Sequence, residues 1–148
     1  MPTERRHKLK LAASVLCALA LVVAGCGGSS YKSKVEDAAK QFKKTSVDAG
    51  TKLRNARTKQ AFAAGVNEFQ GAVKTFNGKL QSLSPPSSAK AAQARLISVL
   101  NTFSADVGAV RDALNKGDVA QIRALQGRVV SDVAGVQSAA KELQSKAG

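Results

Sequence analysis

The 148-residue chain is poor in the side chains that build most active sites. It has no Trp, one Met, one His and two Cys. His7, Met1 and Cys17 all precede residue 26, so beyond that point there is no His, no Met and no Cys except Cys26 itself. A disulfide framework is thereby excluded from the body, as is a Cys/His metal site or a His general base. Proline is nearly absent too; residues 31–148 hold only the adjacent Pro85-Pro86. No stretch sustains period-two alternation, which argues against strands.

What the sequence does contain begins with a leader. Arg5-Arg6-His7-Lys8-Leu9-Lys10 forms a basic segment, and residues 11–24 form an apolar run. A permanent span needs roughly 20 apolar residues, and this run is shorter. A basic flank with a short apolar core is the layout of a cleavable export signal, expected over residues 1–25. Arg5-Arg6-x-x-Leu9-Lys10 weakly echoes a twin-arginine signal, but Lys8 and Glu4 stand where that motif prefers Phe and Ser or Thr. An ordinary basic segment accounts for it better, and the export route stays open.

Val23-Ala24-Gly25-Cys26 resembles the lipobox of bacterial lipoproteins. An aliphatic residue is followed by two small ones, which let the backbone lie extended in a peptidase cleft, and then by the thiol that takes the lipid. The resemblance implies cleavage between Gly25 and Cys26, a diacylglycerol thioether on Cys26 and acylation, for example with palmitate. Cys17 lacks this context, because Leu16 precedes it inside the apolar run. Lipidation implies anchoring in the cell membrane on its extracytoplasmic face. Residues 26–32, with Gly27-Gly28-Ser29-Ser30, are expected to form a short flexible tether.

Residues 33–148 are expected to fold as an all-α, up-down-up-down four-helix bundle. The apolar residues Phe62, Val66, Phe69, Val73, Phe76, Leu80 and Leu83 recur at spacings of four and three. So do Leu96, Leu100, Phe103, Val107, Val110 and Leu114, and so does a row from Ile122 through Leu125, Val129, Val133, Val136 and Ala140 to Leu143. A weaker row runs Val35, Ala39, Phe42, Ser46, Ala49, Leu53, Ala56. Each row occupies one helix face. Its phase slips by one residue between Ala56 and Phe62, which predicts a break with Thr58 as N-cap. Pro85-Pro86 ends the second helix. Gly117 and Asp118 end the third and start the fourth. Ser33-x-x-Glu36 and Asp118-x-x-Gln121 resemble capping boxes. The spacing thus predicts helices near 33–56, 59–83, 88–116 and 119–146; a single helix over 33–83 is the alternative. Ser46 is the one polar member of the interior rows.

Catalytic and cofactor patterns are missing. No Glu-x-x-His pair, P-loop or Gly-x-Gly-x-x-Gly occurs, and the acids are scattered rather than clustered as a calcium loop needs. Tyr31, the one free haem-type ligand, falls in the expected tether. The body is therefore read as non-enzymatic and without a cofactor or metal.

Charge remains. From Cys26 onward 19 basic side chains face nine acidic ones. Residues 31–60 alone hold nine basic and three acidic residues. Export and the lack of stacking aromatics argue against nucleic acid as the partner. The anions within reach of an exported protein are lipid headgroups and envelope polymers, and an envelope protein could also meet this surface. Lys32 and Lys34 would lie near the membrane, and Arg54, Arg57 and Lys59 at the far end of the bundle, with Arg111, Lys116 and Arg123 nearby. A solvated basic surface with no dedicated ligand accounts for the same charge.

The layout as a whole looks like the small helical-bundle lipoproteins of high-GC Gram-positive bacteria. The similarity rests on the lipobox, on a helix start at Tyr31, on Pro85-Pro86 followed by Ala-Lys-Ala-Ala at 89–92, and on Lys116-Gly117-Asp118. That group brings no general activity with it. The expected function is a membrane-anchored, non-enzymatic binding or scaffolding module at the cell envelope; the alternative is a ligand-binding or sensor module that uses the bundle interior.

Overall fold

The computed structural model describes residues 30–147. Four helices account for nearly all of them: α1 (Ser30–Asn55), α2 (Lys59–Ser82), α3 (Ser87–Lys116) and α4 (Val119–Lys146). Among the described residues there is no strand. Consecutive helices pack against one another, α1 on α2, α2 on α3 and α3 on α4, with α3 on α4 the broadest contact. Short links between helices of similar length force antiparallel neighbours, and the result is an up-down-up-down bundle.

The breaks fall where local chemistry puts them. Thr58 has extended backbone, and its hydroxyl accepts from the Ala61 N–H at 3.1 Å. This satisfies one of the donors that a helix start leaves unpaired. The phase slip therefore marks a true turn, and α1 and α2 are separate helices. At the other end of α2, Pro86 opens α3 by offering its carbonyl to Ala89 and Lys90. Gly117 adopts φ 74°, the left-handed region that costs a side-chain-free residue least. There the Asp118 N–H donates to the Ala113 carbonyl at 2.9 Å, and the Asp118 carboxylate accepts from Gln121 N at 2.9 Å to start α4.

The first helix departs from expectation. It starts at Ser30, so Tyr31 and Lys32 are helical rather than part of a tether. Ser33 consequently lies inside the first turns, and Ser33-x-x-Glu36 is no capping box. Tyr31 is buried at 7% exposure. It precedes Val35 by four residues and so extends the apolar row of α1 by a turn.

The interior is the four rows brought face to face. All five Phe are buried. Phe42 of α1 stacks on Phe76 of α2 with centroids 4.8 Å apart, and Phe69 meets Phe103 of α3 edge-on at 5.2 Å. These rings link three helices through one aromatic chain. Small residues supply the closeness: at Gly65 a Cβ would fall 2.8 Å from Leu53 Cγ and Cδ2, so glycine there sets how near α1 comes to α2. Ser46 is buried as expected, but Asn77, Gln93 and Asp106 are buried with it, so the interior is less purely apolar than the rows suggest.

Candidate functional site

Gly25 and Cys26 lie outside the described residues, as does the leader. Within them, four places carry polar chemistry: the two ends of the bundle, the α2–α3 seam and the α3–α4 seam.

At the end formed by the α1–α2 and α3–α4 turns, Arg54, Arg57 and Lys59 are all exposed. Lys59 Nζ donates to the Asn115 carbonyl at 3.1 Å, which ties the first turn of α2 to the last turn of α3. The fold thus brings Lys59 beside Lys116, as the topology requires. Helix termini explain part of this basicity. Lys52 and Arg54 occupy the last turn of α1 and Lys116 that of α3, where unpaired carbonyls favour cations. Arg54 also donates to Thr51 Oγ1 at 3.3 Å. Arg57 sits in the linking turn and has no hydrogen bond or ion pair among the described residues.

Arg111 does not join that group as an available cation. Its Nε donates to Asp112 Oδ1 at 2.8 Å, and its Nη1 reaches Asn67 Oδ1 at 2.8 Å on α2. The guanidinium hydrogen bond holds the exposed Asp112 carboxyl below the usual carboxylate range. Arg111 is thus committed to linking α3 with α2.

Lys32 and Lys34 lie at the opposite end, in the first two turns of α1, with Lys34 exposed and Lys32 half-buried. Between them Tyr31 and Lys32 start the face that packs inward. The Tyr31 hydroxyl donates to Gln93 Oε1 at 2.7 Å. Burial pushes the Tyr31 phenol above its ordinary pKa. Since α1 has 26 residues, the two basic ends stand ~39 Å apart at 1.5 Å per residue. They are separate patches at opposite ends of the bundle.

Along the α2–α3 seam lies an open cleft of about 350 Å³, lined by Gln70, Lys74, Asn77, Gln81, Asn101 and Ser104 among others. Carboxamides cross it: Asn77 Nδ2 donates to Asn101 Oδ1 at 2.8 Å, and Gln70 Nε2 to the Ser104 carbonyl at 3.1 Å. Gly108 makes room for the second, because a Cβ there would lie 2.7 Å from Gln70 Nε2. These bonds fasten two helices and leave the groove floor occupied by protein groups.

On the α3–α4 seam, Arg128 Nη2 donates to Asp106 Oδ1 at 2.5 Å, and Asp106 is buried at 5% exposure. Asp132 is half-buried beside it. Scattered in sequence, these acids are adjacent in space. A signal existed: Asp106 stands three residues after Phe103 and four before Val110, and Asp132 three after Val129 and four before Val136. Both are on the inward side of an apolar row.

Three of the four buried polar residues have a side-chain partner, and Ser46 Oγ has none. Gln93 binds Tyr31, Asn77 binds Asn101 and Asp106 binds Arg128. Among the described residues no three His, Cys, Asp or Glu side chains gather as metal ligands would, and no helix is long and apolar enough to cross a membrane. Comparison with protein-family models, with curated proteins and with solved structures gives no match.

Proposed function

We propose that the protein is a membrane-anchored lipoprotein that acts as a non-enzymatic binding or scaffolding module on the extracytoplasmic face of the cell membrane. The observation that carries this reading is Val23-Ala24-Gly25-Cys26 behind a basic and then apolar leader. The bundle geometry supports it. Ser30, the first helical residue, follows Cys26 by only four positions, a chain reach of at most ~14 Å. Lys32 and Lys34 then stand at the headgroups, where each basic residue adds about 1 kcal/mol of attraction. Arg57, Lys59 and Lys116 point the opposite way, well beyond the ~8 Å over which physiological salt lets charges act. That end meets anionic envelope polymer or an envelope protein. The mostly apolar, side-chain-filled interior favours a scaffold over a sensor that binds ligand in the bundle interior.

Co-sedimentation across a salt series tests the binding role. Reversing Arg54, Arg57 and Lys59 to Glu lowers binding to isolated wall material and leaves helix content intact. Reversing Lys32 and Lys34 instead lowers association of the unlipidated chain with anionic vesicles. A triple variant that sediments with wall material as wild type does, at every salt concentration, removes the functional role of the distal cluster.

A further inference from the structure

Asp106 and Asp132 face one another across the broadest helix contact of the bundle. Asp106 Oδ1 takes the Arg128 guanidinium, whereas Asp106 Oδ2 is shut off from solvent and has no hydrogen-bond partner. Asp132 Oδ2 is likewise enclosed and unpartnered. The two carboxyl groups are within hydrogen-bond reach of each other. Arg128, one turn before Asp132 on α4, covers the pair from the solvent side with its own side chain 62% exposed.

The charge arithmetic of this cluster is incomplete without a proton. Two carboxylates and one guanidinium leave a net negative charge, and one oxygen of each carboxylate is buried without a donor. Two like charges at such a distance cannot both be comfortable. One proton resolves both defects. It forms an O–H···O⁻ bond between the acids, and it leaves the remaining carboxylate balanced by Arg128.

We propose that Asp106 and Asp132 form a proton-binding site that fastens α4 to α3 as the surroundings acidify, making this seam of the bundle responsive to pH. The proton comes from solvent, adds to a carboxylate oxygen of Asp132 and is shared with Asp106; no bond between heavy atoms changes.

The surroundings of Asp132 act in the same direction. Burial raises its pKa, the hydrogen bond to Asp106 and the repulsion from that carboxyl raise it further, and the Arg128 charge lowers it without reversing the direction. Asp106 from α3 and Arg128 from α4 are the charged groups that act on it; α1 and α2 contribute none. The linkage sign follows. A pKa raised in the folded state contributes stability that is fully present below the unfolded value of about 3.9, and that stability is lost as pH rises through the folded value. Asp112, held low by Arg111, has the opposite sign and loses its contribution in acid.

The test uses the full-length chain in uncharged detergent. Carboxyl carbon-13 NMR gives the Asp132 titration midpoint in wild type and in Asp106→Asn. Urea denaturation of wild type and Asp132→Asn is followed from pH 7 to pH 4; urea leaves charges unscreened. The wild-type midpoint of Asp132 lies above that of an ordinary aspartate and falls in Asp106→Asn. Asp132→Asn unfolds at higher urea than wild type at pH 7, and the two curves converge as pH falls. An ordinary Asp132 midpoint in wild type overturns the proposal, and so does a gap between the two proteins that is the same at every pH. The wild-type titration needs no variant and decides the matter even where a substitution unfolds the chain.

Discussion

The Tyr31 hydroxyl donates to Gln93 Oε1 at 2.7 Å across 62 residues of sequence, and so joins the first turns of α1 to those of α3. The bond lies at the end of the bundle from which the chain leads back to Cys26. The first turn of α1, which would adjoin the proposed anchor, is therefore docked into the core.

Tyr31→Phe removes the donor and leaves Gln93 Oε1 buried without a partner. A loss of ~1–3 kcal/mol is expected, read from the urea midpoint. Tyr31→Phe combined with Gln93→Leu recovers part of that loss, because both polar groups are then gone. Raising pH acts on the same bond. The Tyr31 pKa is raised by burial, so its contribution is complete below the usual phenol value of about 10. It is lost as pH rises through the higher folded value, and Tyr31→Phe removes that alkaline dependence.

Phe69 tests the core. It is fully buried and touches Phe42 of α1 and Phe103 of α3, with ring centroids at 6.5 and 5.2 Å. Phe69→Ala is expected to cost ~3–5 kcal/mol through lost transfer energy and a residual cavity. That is a large share of the ~5–15 kcal/mol that holds a typical domain together. Denaturation followed by circular dichroism measures it, and an unchanged midpoint contradicts the packing described above.

Six of the helical glycines separate into two classes. Gly71, Gly78, Gly127 and Gly135 have open space where a Cβ would go. Replacing each with Ala is expected to raise stability by about 1 kcal/mol through helix propensity. Gly65→Ala has the opposite sign, because the new methyl meets the buried Leu53 at 2.8 Å. Gly108→Ala displaces only the flexible amide of Gln70 and costs roughly the 0.5–1.5 kcal/mol of one hydrogen bond. Thermal midpoints of the six single variants check the division.

Much of the fold was legible because helix packing writes itself into spacing. Every member of the four apolar rows is buried or packed against the core. Thr58, Gly117 and Asp118 marked their turns because each solves a local backbone problem at its own position. The start of α1 was hidden by Gly27-Gly28-Ser29-Ser30, whose composition reads as tether, although Tyr31 keeps the phase of Val35. The candidate site was far less legible. Lys59 reads as one more exposed cation until the fold sets it beside the Asn115 carbonyl, 56 residues away. Asp106 and Asp132 carried a spacing signal that apolar rows alone do not reveal. A search for apolar periodicity passes over polar residues that share the same face, and their pairing depends on the register between α3 and α4.

The central claim is the anchor, and the mass of the mature protein purified from membranes tests it most directly. The account gives a chain that begins at Cys26, carries a diacylglyceryl thioether on that residue and releases labelled palmitate-bearing peptide from its amino terminus. Cys26→Ser gives a chain without lipid that leaves the membrane fraction or accumulates uncleaved. A mature wild-type protein that retains residues 1–25, or that starts elsewhere with an unmodified Cys26, contradicts it.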